Sequence, residues 1–350
     1  MKKTKQAYWG NLAAVSLGIL VALIFAEVIS RIFIPMFPGA KKLDLDGHLL
    51  NIDSVQPGAV YRQYSEEYDA LTTITPKGYR NPEVMDNPHI IFLGDSFTFG
   101  QGLSDEHTFP FLFCKALQIS CANLGVPGAS TISELDRLEE FLGSEGWSPQ
   151  HVFLFIFAMT QFLGAGNDLY DNIKTLEQGK NLNLISHSPR NISSPSYVIM
   201  NTDIFSEFLY ILLDFREIIL KHSNIARVMK FYFGPQLKEL LAPAAKEETL
   251  NHALSLMKGQ LSRFERLGEQ FDFTTHIFLI HPVQDILRGS YHDTILKLQS
   301  ISSKTLYSTA NLFHPHPEQY FFPLDGHLNE KGSQKVAAYL LSDFSDLGQE

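Results

Sequence analysis

Hydrophobic positions along this chain follow two regimes. From Leu12 to Ala26 the sequence is almost purely apolar, and with Glu27 and Arg31 as the only charges the run continues to Ile34. That is enough for a membrane-crossing helix of about 20 residues. Further on, short apolar runs alternate with amphipathic stretches. His89–Leu93, Cys121–Val126, His151–Phe157 and His276–Ile280 have strand length and end in turn residues, and a weaker run lies around Thr305–Ser308. Helical periodicity falls between them: near Thr108–Leu117, after Thr131 with Leu135, Leu138 and Leu142 on one face, near Glu248–Leu267, and on to about Leu298. Thr131-x-x-Glu134 has the form of a capping box. Asn329 can cap a last helix whose Val336, Tyr339, Leu340 and Phe344 share a side. Strand and helix alternating at this spacing predict an α/β fold with a doubly wound, flavodoxin-like parallel sheet in three α/β/α layers.

Breaks in the pattern divide the chain. Pro35, Pro38 and Gly39 end the first helix, and the polar run Lys41–His48 reads as a stalk. The expected order is a head over 1–11, a transmembrane anchor over 12–34, a stalk over 35–48 and a working domain over 49–350. Turn signals at Pro57-Gly58, Pro76-Lys77-Gly78 and Asn81-Pro82 suggest small strands between 49 and 88, of no readable role. The alternation lapses over about 172–246, a helical insertion with a polar loop through Ser196 and an apolar segment from Asp203 to Phe233. Phe205, Phe208, Leu212 and Ile219 cover more than one face there, so the segment needs partners: the domain itself, a second copy, the active cleft or a membrane surface.

Charge adds topology. The net charge is -10, and the lysines at positions 2, 3 and 5 oppose it, so the body beyond them is more acidic still. Such a body repels phosphate backbones, which excludes nucleic acid as the expected partner. A basic head before an apolar helix stays in the cytoplasm and sends the body across, to the periplasm or cell exterior, with Tyr8 and Trp9 at the interface. A cleaved signal peptide is the rival, but the run exceeds a usual signal core and no small-x-small site follows it, so a single-pass membrane anchor is expected. Glu27 and Arg31, four apart, can pair or reach toward headgroups. Cys114 and Cys121 are the two cysteines; an oxidising compartment permits a bridge, with two buried thiols as the alternative.

The chemistry gathers at strand ends. HIIFLGDSFTFG, residues 89–100, runs as a buried strand into the abrupt turn Gly94-Asp95-Ser96, which lifts Ser96 out of the sheet edge where ligands collect in open α/β folds. Gly125 follows the second strand, Asn167 the third, and Asp325 and His327 stand before the last helix, so doubly wound topology brings them to one edge. Acyl transfer needs a nucleophile, a base, a group that orients the base and donors for the oxyanion, and each has a candidate here. Asp95 reads as a carboxylate serving N–H groups of its own turn. His314-Pro-His316 with His281 raises a metal site, but no carboxylate or cysteine lies at ligand spacing, so neither metal nor cofactor is expected.

In order, GDSFTFGQG, NLGVPG, GND and DGHLNEKG resemble the four sequence blocks of the SGNH, or GDSL-type, hydrolase family, over most of residues 80–340. The resemblance implies that Ser96 attacks an ester carbonyl, His327 moves the proton and Asp325 holds the imidazole. It also implies an oxyanion hole from the backbone N–H groups of Ser96 and Gly125 and the side-chain amide of Asn167. Two departures stand out. Asp325 lies two residues before His327 rather than three, similar to the alginate-acetyltransferase-like branch, and Ala165 replaces the usual glycine of the third block. The expected function is a serine esterase acting on O-acyl groups, O-acetyl foremost, of an envelope glycan or lipid-linked substrate. Transfer of the acyl group to a sugar hydroxyl is the alternative, and a catalytically silent SGNH-fold binding module the second.

Overall fold

The structure, a computed structural model, describes residues 2–33, 39–159, 168–183, 223–225 and 243–348. They fall into two units, Met1–Pro38 with Ser188–Pro243, and Gly39–His187 with Ala244–Glu350. In the first, helix α1 runs Lys2–Phe33. Its stretch Ala14–Phe33 has a hydropathy of 2.1, long and apolar enough to cross a membrane. Glu27 pairs with Arg31 at 2.8 Å. Its carboxylate also accepts Ser223 Oγ at 2.8 Å and the N–H groups of Asn224 and Ile225 at 2.7 and 3.0 Å. The rest of the apolar segment expected over 203–233, and most of the insertion, lie outside the described residues.

The second unit is built on five parallel strands: β4 (Ile90–Gly94), β5 (Cys121–Asn123), β6 (His151–Phe157), β7 (Thr274–Ile280) and β8 (Leu306–Ser308), in the order β5-β4-β6-β7-β8. The chain begins in the interior, steps to β5 on one side and returns to lay β6 on the other. This reversal opens a crevice beyond the carboxyl ends of β4 and β6. β4 is buried along its whole length, the continuous apolar reading of a strand covered on both faces. Alternate residues serve the two faces. Ile91, Leu93, Val152 and Leu154 pack with Leu135 and Leu138 of α4 (Thr131–Ser144) and with Met257, Leu261 and Phe264 of α6 (Pro243–Phe271). Ile90, Phe92, Phe153 and Phe155 pack with Phe109 and Phe113 of α3 (Phe109–Leu117) and with Val336 and Leu340 of α9 (Glu330–Phe344). The α/β/α layering follows from that period of two. Cys114 on α3 and Cys121 on β5 form a disulfide, their Cα atoms 6.1 Å apart.

Two local readings need correction. The capping box of α4 sits one residue earlier than Thr131 and Glu134 suggest: Ser130 is the N-cap, and Ser133 returns the bond to its backbone. Thr131 and Glu134 turn inward instead and are buried. Nor does the stalk extend to residue 48, because Lys41–Leu43 form β1 of an antiparallel sheet with β2 (Val60–Tyr64) and β3 (Asp69–Thr73). Lys42 donates Nζ to Ile52 O at 2.7 Å.

Arg80 ties this small sheet to the large one. Its buried guanidinium lies 2.8 Å from Asp105 and donates to Phe99 O and Gly100 O, both at 2.7 Å, and to Leu103 O at 2.5 Å. Asp105 also accepts the N–H of Thr73 in β3 at 3.0 Å. Asp95, Glu134 and Asp168 are all buried. Burial first pushes the Glu134 and Asp168 carboxyls well up, and then the charge of Asp95 adds to Glu134 and the charges of Glu134 and Asp95 add to Asp168. Asp95 is pushed up to about 6 by burial, against the N–H of Phe97, which lowers it.

Arg80→Ala strands Asp105 in the interior and is expected to destabilise the chain by about 3–5 kcal/mol in a urea titration, with Arg80→Lys recovering little because an ammonium cannot fork. A loss below about 1 kcal/mol would remove Arg80 from this role. The raised acid has the opposite pH dependence from a paired carboxylate. Its contribution is full below its ordinary value of 3.8 and is lost as pH rises through about 6. Asp95→Asn keeps an acceptor for Phe97 and removes the titration, so its unfolding free energy should fall less than the wild type's from about pH 4 to about pH 8. Parallel curves would contradict this.

Candidate active site

The serine owes its position to a glycine. Gly94 ends β4 at φ +151°, and a Cβ there would lie 2.2 Å from Thr98 Oγ1 and 2.8 Å from Phe155 O. No other residue fits, and the chain turns at once into the single-turn helix α2, Ser96–Phe99. Asp95 caps it by accepting the N–H of Phe97 at 2.9 Å, which is the turn role its position suggested. Ser96 Oγ then lies 2.7 Å from His327 Nε2. The N–H of Ser96, in the first turn of α2, has no acceptor among the described residues.

His327 and Asp325 come from the loop before α9, whose N-cap is Asn329 as its position predicts. Asp325 Oδ1 is hydrogen-bonded to His327 Nδ1. An ionised carboxylate accepts only, so Nδ1 carries the proton and Nε2 is left to accept from the Ser96 hydroxyl. Phe97 holds the other side of the imidazole at 4.7 Å between ring centroids and itself stacks on Phe157 at 4.6 Å. Asp325 is enclosed, its side chain 1% exposed. Burial alone would raise its carboxyl, but the bond and charge of His327, with donors Tyr68 and Gln101, bring it below the ordinary range.

Three neighbours of Asp325 escaped the sequence reading. Tyr68 Oη donates to its Oδ2, and Gln101 Nε2 lies 3.4 Å from both of its oxygens. Glu67 accepts the N–H groups of Leu324 and Asp325 at 2.8 and 2.7 Å. Gln101 stands inside the GDSFTFGQG string, the one available signal. Glu67 and Tyr68 lie more than 250 positions from their partners, and no local pattern encodes such a pairing.

The remaining candidates differ. The N–H of Gly125 donates to Asn123 Oδ1 at 3.0 Å in this resting arrangement. Its lack of a side chain has a packing reason: a Cβ would lie 2.5 Å from Phe99 N, so only glycine lets the exit of β5 touch α2. Asn167 lies outside the described residues. His281 is buried with Nδ1 2.9 Å from Ala158 O, and burial lowers it to about 4, which keeps it neutral. Among the described residues, ligand atoms gather at metal-like separations only in Asp44, Asp46 and His48. That turn is largely exposed, and Asp44 already accepts the N–H of His48 at 2.7 Å.

The serine after β4, the Asp-x-His before α9 and the β5-β4-β6-β7-β8 order agree with the α/β fold and order of blocks that the resemblance to the SGNH, or GDSL-type, hydrolases implies. No protein-family model matches the chain, and no curated protein matches it. Among solved structures it is similar to a lipolytic protein of the G-D-S-L family from Desulfitobacterium hafniense, at 14% identity and a TM-score of 0.35, over 73% of this chain and 99% of that one. It is similar to a catalytic mutant of an acetylxylan esterase from Geobacillus stearothermophilus, at 12% identity and a TM-score of 0.36, over 74% and 94%. A carbohydrate esterase family 2 enzyme with a carbohydrate-binding domain, from Corynascus thermopiles, matches at 11% identity and a TM-score of 0.27, over 88% of each chain.

Proposed function

We propose that this chain is a membrane-anchored serine esterase that cleaves O-acyl groups, O-acetyl foremost, from an envelope glycan or a lipid-linked substrate. The observation that carries the reading is the continuous hydrogen-bonded line from Ser96 Oγ through His327 to Asp325. As an ester carbonyl enters, Ser96 Oγ bonds to its carbon and the hydroxyl proton passes to His327 Nε2. Asp325 stabilises the imidazolium without taking its proton. The oxygen that gains charge faces the uncommitted N–H of Ser96, and one such donor is worth about 3 kcal/mol at the transition state. Gly125 adds a second donor when its N–H leaves Asn123, and the Asn167 amide is the third.

Collapse of the adduct breaks the bond to the alcohol oxygen, which leaves with the proton from His327. Water then attacks acyl-Ser96 with His327 again as base, and the acid departs as Ser96 recovers its proton.

Two features support the anchored topology. Glu27 engages Ser223, Asn224 and Ile225, partners that would be lost if α1 were removed as a signal peptide. The Cys114–Cys121 bridge suits an oxidising compartment outside the cytoplasm.

Full-length chain in detergent should hydrolyse a chromogenic acetyl ester, and Ser96→Ala should lower kcat by about 10⁴-fold or more with folding intact. Equal turnover in the variant would rule out the serine route. In membranes the chain should resist alkaline carbonate extraction at its full mass; release as a shortened soluble protein would contradict the anchor.

A further inference from the structure

We infer that Glu67 and Tyr68, at the turn joining β2 to β3, are positioning residues that set the orientation and charge of Asp325 and, through it, of His327. The inference rests on the esterase reading above. Asp325-Gly-His327 belongs to no strand or helix, so its geometry has to be imposed from outside. Glu67 imposes it on the backbone. Its two carboxylate oxygens take the successive N–H groups of Leu324 and Asp325, at 2.8 and 2.7 Å, and fix the peptide plane from which the Asp325 side chain projects. Tyr68 imposes it on the side chain, with Oη on Oδ2 while His327 Nδ1 takes Oδ1. Each carboxylate oxygen is thereby assigned one principal donor, and rotation about the terminal torsion is blocked.

The turn is itself held. The Tyr68 ring packs on Phe322 at 4.9 Å between centroids, and a Cβ on Gly102 would lie 2.8 Å from that ring. The Gly102 N–H donates to Gln63 Oε1 of β2 at 3.1 Å, and Arg62 and Asp69 form an ion pair between the two strands. Burial and the Asp325 charge raise the Tyr68 phenol far above its ordinary value, so it stays a donor. Among the described residues, the titratable and charged groups facing Asp325 and His327 are Glu67 and Tyr68 from this turn and Asp95 beside Ser96, with Gln101 as the neutral donor.

A donor to Asp325 draws charge from the carboxylate and weakens its hold on an imidazolium. Removing it therefore strengthens that hold while leaving the carboxylate less well aimed. Tyr68→Phe keeps the ring and its packing. It should lower kcat by about 10- to 100-fold with KM little changed, and should move the acid limb of the kcat/KM profile toward higher pH. Glu67→Gln, which offers one acceptor to two N–H groups, should lower kcat similarly without that shift, and Glu67→Asp should recover part of it. A merely structural role would lower the active fraction and leave the acid limb in place, and that result overturns the inference. The His327 ring resonance, identified by its loss in His327→Gln, reports on the bond to Asp325 in the resting chain without turnover and should be displaced in Tyr68→Phe. Wild-type chain that is folded but inactive would refute the esterase reading, whereas an active wild type with an unmoved His327 resonance in Tyr68→Phe would refute the positioning alone.

Discussion

The close contact between the end of β4 and its neighbours is the constraint on which the candidate site depends. At Gly94 the backbone passes so near Thr98 and the carbonyl of Phe155 that no side chain can be accommodated. The strand must therefore turn sharply, and the next side chain but one leaves the sheet edge. Gly125 repeats the constraint from β5, where contact with the backbone of Phe99 and Thr98 presses the second strand's exit against α2. Glycines at the exits of two adjacent strands thus set the Ser96 hydroxyl and the backbone around it at the crevice created by the reversal of strand order.

The other half of the site has no such scaffold of its own. Asp325 and His327 arrive on a loop, and the small antiparallel sheet supplies what the large sheet does not. Arg80 fastens the chain that follows α2 through three carbonyls, Asp105 links that chain to β3, and the turn after β2 meets the backbone and side chain of Asp325. Ser96 and His327 are therefore held by two sheets that share one stretch of chain, residues 99–105. Buried carboxyls at Asp95, Glu134 and Asp168 add a further polar cluster near Ser96, at a stability that varies with pH.

Much of this was legible in the sequence because it is local. Continuous apolar runs at His151–Phe157 and His276–Ile280 carry their own strand signal, and GDSFTFGQG and DGHLNEKG carry the residues that meet at the sheet edge. The errors were local too: Ser130 and Thr131 both offer a hydroxyl for the α4 cap, and only packing of Glu134 into the interior decides between them. Contacts between distant segments were illegible. Nothing in the sequence around Tyr68 announces Asp325, nothing around Glu27 announces Asn224, and an Arg80 that reads as an ordinary polar residue is a buried hub. Pattern reports which face of an element is apolar and is silent on which polar group will meet another across the fold.

Mass mapping of the full-length chain after reaction with a fluorophosphonate tests most directly whether this geometry makes Ser96 a nucleophile. The expected result is a single stoichiometric adduct on the peptide that contains Ser96, formed slowly or not at all in His327→Gln. A folded chain that stays unmodified, or one labelled at another serine, would contradict the assignment of Ser96, His327 and Asp325 to acyl transfer.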